Sequence, residues 1–237
     1  MLTNAQRTAA MKHAEDDYPN ESCGLIVGGR YKRVPNSHKK PDTDFKMDGD
    51  YWLKWGTPTA VVHSHPNGPR WPSAADMQSQ VETAVPWYIV YVTEDGAVDI
   101  ASWGDSLPIP QLIGRQFMHG TSDCYSLIRD YYRLERGVTI PEYPRDDEWW
   151  SDGKDLYSKG FKKAGFKQVP IESMQAGDVL LAKVRSPVLN HGGVYIGDDL
   201  LLHHLPNRLS RREPVGPWLK YVELCVRYTG KGGKDAT

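Results

Sequence analysis

From Thr3 to Asp17, alanines and a methionine, with Leu2 just ahead of them, alternate with charged positions at helical spacing, with Thr3 or Asn4 placed to cap the turn and Pro19 to close it. The pattern predicts an amphipathic helix. Short apolar runs follow at Gly24 to Val27, Tyr31 to Val34 and Thr59 to His65, and less regularly at Phe45 to Trp55, and all of these read as strands. A helix from Pro72 to about Val85 and strands at Trp87 to Thr93 and Val98 to Trp103 complete an α/β unit. Periodicity is then lost in Gly104-Asp105-Ser106-Leu107-Pro108-Ile109-Pro110, whose Pro and Gly content is that of a linker. Beyond it, Leu127, Ile128, Tyr131 and Leu134 predict a helix from Asp123 to Arg136. A second helix is expected near Asp155 to Ala164, then strands at Asp178 to Val184, Gly193 to Ile196, Leu200 to Leu205 and Tyr221 to Tyr228. A helix followed by antiparallel strands implies an α+β fold. The expected division is an α/β domain over 1–103, a linker over 104–110, an α+β domain over 111–228 and a flexible Gly/Lys-rich tail over 229–237.

Composition narrows the function classes. With 39% hydrophobic residues in 237, the chain has the material for packed cores. A net charge of −1 supplies no general attraction for a polyanion, which disfavours nucleic acid as a partner. No apolar run approaches the roughly 20 residues of a membrane-spanning helix. The N-terminus lacks the basic and apolar pattern of a secretory leader, so the protein is expected to be made and kept in the cytoplasm or to leave by another route. The 3 cysteines, Cys23, Cys124 and Cys225, lie far apart and argue against a disulfide framework.

His63-Ser64-His65 ends a predicted strand, where side chains two apart share a face and two imidazoles can converge on one ion. Asp76, at the start of the next helix, could supply a third ligand and leave one position open for water. Ser73-x-x-Asp76 is equally a capping-box arrangement that needs no metal. Together with Glu21 upstream, however, His63-Ser64-His65, Ser73 and Asp76 closely resemble the JAMM (MPN+) metallopeptidase motif over residues 1–103. The resemblance implies a cytidine-deaminase-like α/β fold with Zn2+ held by His63, His65 and Asp76. It further implies Glu21 as general base and Ser73 as the donor to the oxyanion. Cys23, in an apolar strand, reads as packing.

In the second half, Cys124 opens a helix behind Ser122 and Asp123, a placement expected to favour thiolate. Cys225 reads as core. His191, His203 and His204 flank a probable hairpin. A three-residue loop, Gly197 to Asp199, would put His191 and His203 on one face, whereas a two-residue turn would pair His191 with His204. The spacing leaves both open. Asp123-Cys124, then His191 before Gly-Val-Tyr-Ile-Gly-Asp, then His203, is similar to the NlpC/P60 family of papain-like cysteine peptidases. By that resemblance, Cys124 is the nucleophile, His191 the general base and His203 the group orienting it. The tyrosine that family commonly carries upstream of the cysteine is replaced by Phe117, and the segment from Pro141 to Lys163, with Trp149 and Trp150, is long for it. His13, His38 and His119 are expected to be solvated or locally satisfied.

A JAMM-like module followed by an NlpC/P60-like one resembles a family of tail-tip proteins of long-tailed bacteriophages. The resemblance implies residence at the virion tail tip after assembly in the host cytoplasm, with other tail-tip proteins as partners. It also implies peptidoglycan stem peptides as substrate. Processing of tail proteins during assembly, or a structural role with vestigial sites, is the alternative it leaves.

Overall fold

Thr3 starts α1 (Asn4–Asp17) with a reciprocal cap, its hydroxyl accepting from the Gln6 backbone N–H and its own N–H donating to the Gln6 side chain. In the computed structural model, which describes residues 1–230, this helix belongs to the first of two compact units, Met1–Pro108. Strands β1 (Cys23–Val27), β2 (Arg30–Val34), β3 (Ala60–Pro66), β4 (Trp87–Thr93) and β5 (Gly96–Trp103) form one sheet in the order β2-β1-β3-β4-β5. Only β3 and β4 pair in parallel, and their crossover contains α3 (Ala74–Thr83). The period of β3 divides the core in two. Ala60 and Val62 join Ala10 and Ala14 of α1 on one face of the sheet. Val61 joins Leu25, Ile89, Trp87 and Trp103 on the other, and His63 and His65 continue that second row.

The segment from Phe45 to Trp55, expected as a strand, is not one. Phe45 and Met47 lie in irregular chain, and residues 51–55 form a short helix, α2 (Tyr51–Trp55). Both stretches pack on the same core, and the i, i+4 spacing of Tyr51 and Trp55 places both rings on one helix side. Helix α3 is also shorter than expected, because Ala84 takes a left-handed conformation (φ 54°) directly after it.

The second unit begins at Ile109. Helix α4 (Cys124–Arg136) is followed by α5 (Leu156–Lys163) and the strands β6 (Phe166–Val169), β7 (Val179–Ala182), β8 (His191–Tyr195), β9 (Leu200–His203), β10 (Arg211–Pro214) and β11 (Val222–Tyr228). They make an antiparallel sheet ordered β10-β9-β8-β7-β11-β6. Leu127, Ile128, Tyr131 and Tyr132 of α4 meet Val179, Leu181, Val194, Leu202 and Val226 of the sheet in the main core. Strands β6 and β10 went unread in the sequence. Neither Phe-Lys-Gln-Val nor Arg-Arg-Glu-Pro carries enough alternation to stand out, and both lie at sheet edges where one side of the ladder is solvated. Of the expected tail at 229–237, residues 231–237 lie outside the described residues.

Two candidate active sites

The imidazoles of His63 and His65 converge at the carboxyl end of β3 on Asp76, the third residue of α3. His63 Nε2 lies 3.1 Å from His65 Nε2 and 3.3 Å from Asp76 Oδ1, and His65 Nε2 lies 3.6 Å from Asp76 Oδ2. All three side chains are buried. A tetrahedral ion with bonds of about 2.0–2.1 Å sets its ligand atoms roughly 3.3 Å apart, a spacing that the two Nε2 atoms and the His63–Asp76 Oδ1 pair approach, and one donor atom from each of the three residues lies within 4.8 Å of the others. The donor set, two imidazoles and a carboxylate, suits zinc as well. His65 Nδ1 donates to the Pro69 carbonyl at 2.8 Å, which leaves Nε2 with its lone pair free. His63 Nδ1 is buried without a partner, its ring stacked on Phe45 at 4.6 Å.

The capping arrangement coexists with this cluster. Ser73 Oγ accepts from the Asp76 N–H at 3.1 Å and donates to Asp76 Oδ2 at 2.7 Å, while the Ser73 N–H donates to the same oxygen at 2.9 Å. One residue therefore starts the helix and orients the carboxylate. Burial opposes charge on Asp76, but the two imidazoles and Ser73 outweigh it and hold the carboxyl well below the usual range. Burial likewise works against charge on both histidines. It prevails at His63, whose pKa is lowered, whereas hydrogen bonds to Asp76 and the Pro69 carbonyl overcome it at His65, whose pKa is raised.

Glu21 reaches this cluster through strand register. Cys23 pairs with His63, and the ladder runs on through Ser22, whose N–H donates to Ser64 Oγ at 2.8 Å and whose carbonyl accepts from the Ser64 N–H at 3.0 Å. Two residues along, the same register sets Glu21 opposite His65. The carboxyl is buried, and that burial, helped by Asp76 and opposed by His65, pushes its pKa up to about 7. Cys23, with Sγ 3.4 Å from the Val34 carbonyl and a pKa raised by burial to about 12, is core.

The second site lies where α4 packs on β8. Asp123 caps the helix, accepting from the Ser126 N–H at 2.9 Å, and Cys124 is its first residue. The expected lowering of the thiol pKa is reversed here. Burial and the adjacent Asp123 carboxylate raise it, against hydrogen bonds from Tyr157 and the Gly192 N–H and the charge of Arg145. Tyr157 Oη lies 3.2 Å from Cys124 Sγ. Gly192 follows His191 in β8, so the strand that carries this imidazole is the one whose backbone meets the thiol.

The hairpin turns on Gly197, Asp198 and Asp199, all at positive φ, with Ile196 N–H donating to the Leu200 carbonyl at 3.0 Å. His203 therefore shares a face with His191. The resulting contacts fix both tautomers. Glu213 accepts from His203 Nε2–H at 3.2 Å, His203 Nδ1 then accepts from His191 Nε2–H at 3.2 Å, and His191 Nδ1 is left with a lone pair. Burial, aided by repulsion from His203 and His204, pushes the His191 pKa down to about 3, so the ring is neutral and basic only toward a close proton. Burial also lowers His203. On Glu213 burial is outweighed by Trp218, His203 and Arg211, which keep it ionised. Trp218 donates to Glu213 at 3.1 Å and packs its ring on His203 at 4.4 Å. His204 is buried against Phe117, away from this chain of contacts.

Gly192 and Gly193 are small for a reason. A Cβ at Gly192 would come within 2.9 Å of Ile128, and one at Gly193 within 2.8 Å of Leu201 and 3.0 Å of His203. The stretch from Glu142 to Arg145 is tied to the start of α4 by Arg145, which meets Asp123 through both Nε and Nη2 and Glu142 through Nη1. His119 donates to the Arg145 carbonyl at 2.9 Å. Tyr157, Glu213, Trp218 and Arg145 were not singled out as site residues in the sequence. None of them sits in a motif, and each reaches its partner only through tertiary structure.

Residues 3–104 match the family described as prokaryotic homologs of the JAB domain, and residues 113–227 match the NlpC/P60 family. The chain is 42% identical over 170 residues to tail tip assembly protein K of Escherichia phage lambda, covering 70% of this chain and 81% of that one. It is 32% identical over 238 residues to tail tip assembly protein K of Escherichia phage N15, covering 96% of each. Among solved structures it matches the NlpC/p60 domain of peptidoglycan hydrolase SagA at 19% identity and a TM-score of 0.35, covering 49% of this chain and 90% of that one.

Proposed function

Because the chain belongs to the family of tail tip assembly protein K of phages, we propose that it acts at the virion tail tip as a hydrolase with two chemically separate centres. The cysteine centre cleaves peptidoglycan stem peptides as the tail penetrates the cell. The observation that carries this reading is the relay from Glu213 through His203 to His191, which leaves a lone pair on Nδ1 of the residue before Gly192, whose N–H hydrogen-bonds the helix-opening Cys124. His191 takes the Cys124 proton while the sulfur attacks the scissile carbonyl, and returns it to the leaving amine. Water, deprotonated by the same ring, then releases the acyl group. His203 and Glu213 hold His191 in the tautomer that can do both.

In the first unit, His63, His65 and Asp76 would hold zinc, which when bound lowers the pKa of a coordinated water. Glu21 is the general base of that centre, its pKa near neutrality for the task. Ser73 is assigned to the oxyanion, so its hydroxyl must turn from Asp76 when substrate arrives. The protein is assembled into the tail in the host cytoplasm, where other tail-tip proteins are its partners.

The test is mass spectrometry of peptidoglycan fragments incubated with the full chain. New stem-peptide termini should appear with wild type and vanish with Cys124→Ala. Unchanged fragments with wild type, or cleavage that survives the substitution, would sink the reading. Elemental analysis should find one zinc per wild-type chain and a loss in His65→Ala. Equal metal content in the two would remove the zinc assignment.

A further inference from the structure

We infer that Tyr157 is a catalytic residue of the cysteine centre, its hydroxyl donating the hydrogen bond that stabilises the Cys124 thiolate as the proton leaves. The inference rests on the reading of Cys124 as nucleophile. The hydroxyl lies 3.2 Å from the sulfur, and once the thiol has lost its proton a phenol in that place is a donor and nothing else. The ring is held for this contact. Trp149 meets it edge-on at 5.9 Å and Tyr125 at 6.3 Å, while Trp149 itself is buried. The oxygen lies against β8, where a Cβ at Gly192 would sit 3.4 Å from it.

The charges around the sulfur show why such a donor is needed. On its own helix Cys124 has the Asp123 carboxylate next to it, which opposes a thiolate. The Arg145 guanidinium gives its hydrogen bonds to that carboxylate and to Glu142, so it reaches the sulfur through its charge alone. From β8 come the Gly192 N–H and the neutral His191 ring. Beside the imidazolium that His191 becomes on taking the proton, Tyr157 is the side chain that offers the sulfur a hydrogen. It remains a phenol across the working range, because burial and the neighbouring thiol raise its own pKa well above the ordinary value. The proton itself passes from Sγ to His191, and the tyrosine keeps its own throughout.

The probe is iodoacetamide, with alkylation of Cys124 in the full chain followed by peptide mapping across pH. Loss of one hydrogen bond to a charged sulfur should move the midpoint upward by about one to two pH units in Tyr157→Phe, and slow alkylation at pH 7 by about tenfold to a hundredfold. A tyrosine that only packs would leave the midpoint where it is. Should Tyr157→Phe fail to fold, 3-fluorotyrosine at position 157, a more acidic donor of similar size, should lower the midpoint. An unmoved midpoint in the folded variants, with stem-peptide cleavage still abolished by Cys124→Ala, overturns the role of Tyr157 alone. Cleavage that persists in Cys124→Ala overturns the reading beneath it.

Discussion

Glu21→Gln separates the catalytic use of a buried carboxyl from its cost to folding. The Glu21 pKa rises from 4.5 to about 7 on folding because the group is buried beside Asp76. A raised carboxyl pKa means the folded state binds the proton more tightly. The carboxyl thus does no harm below its unfolded pKa near 4.5 and destabilises progressively as pH rises through 7. Evaluating that linkage at pH 8 and at pH 5 gives a difference of about 2 to 3 kcal/mol. Glutamine carries no charge, so the desolvation of its amide is common to both pH values and cancels. In metal-free protein, urea melts should therefore show Glu21→Gln gaining about 2 to 3 kcal/mol relative to wild type between pH 5 and pH 8. Zinc should shrink the gap, since a cation next to the carboxylate favours its charged form. The zinc-loaded variant should also lose metal-dependent hydrolysis while keeping the ion. A stability difference independent of pH would refute the claim that Glu21 is forced toward neutrality by burial.

Glu213→Ala removes the acceptor that fixes His203, so the histidine pair can exchange tautomers. Stem-peptide turnover should fall by about 10- to 100-fold with KM little changed, the size of one lost charge-assisted hydrogen bond. Nitrogen-15 spectra of the two imidazoles should lose the Nε2–H signals, and wild-type spectra already showing Nδ1–H on His203 would contradict the relay. Ser73→Ala should cost about 1 kcal/mol of stability through the lost cap yet retain zinc, and elemental analysis with thermal melts reads both. Arg145→Met leaves Asp123 buried and uncompensated, so unfolding should become easier by about 3 to 5 kcal/mol. Asp123→Asn combined with Arg145→Met should recover part of that loss, as measured in denaturant.

Motif spacing along single elements was the part of each site visible in the sequence. His63, His65 and Asp76 sit on one strand face and one helix turn, and strand period and capping signal together reveal them. Cys124 and its Asp123 cap are local in the same way. A helix start taken alone predicts a lowered thiol pKa, whereas burial and the Asp123 charge act in the opposite direction. Local spacing also left His203 and His204 undecided. The choice followed from three successive positive-φ residues, Gly197 to Asp199, two of them aspartates that nothing in the sequence obliges to adopt that conformation. Glu213 was hidden by a strand without alternation, Tyr157 by a helix whose partner lies 33 positions earlier. Phe117, standing where the resemblance leads one to expect a tyrosine, packs on His204, while the hydroxyl on the sulfur comes from α5. The mistaken strand over 45–55 reflects mixed spacing, alternate at Phe45 and Met47 and helical at Tyr51 and Trp55.

Covalent catalysis by Cys124 on a stem peptide leaves an acyl-enzyme that intact-mass spectrometry after acid quench during turnover can capture. The expected result is a mass gain equal to the acyl half of the substrate, mapped to the peptide containing Cys124 and missing from Cys124→Ala. Steady turnover with no adduct on Cys124, or an adduct on Cys23 or Cys225 instead, would contradict it.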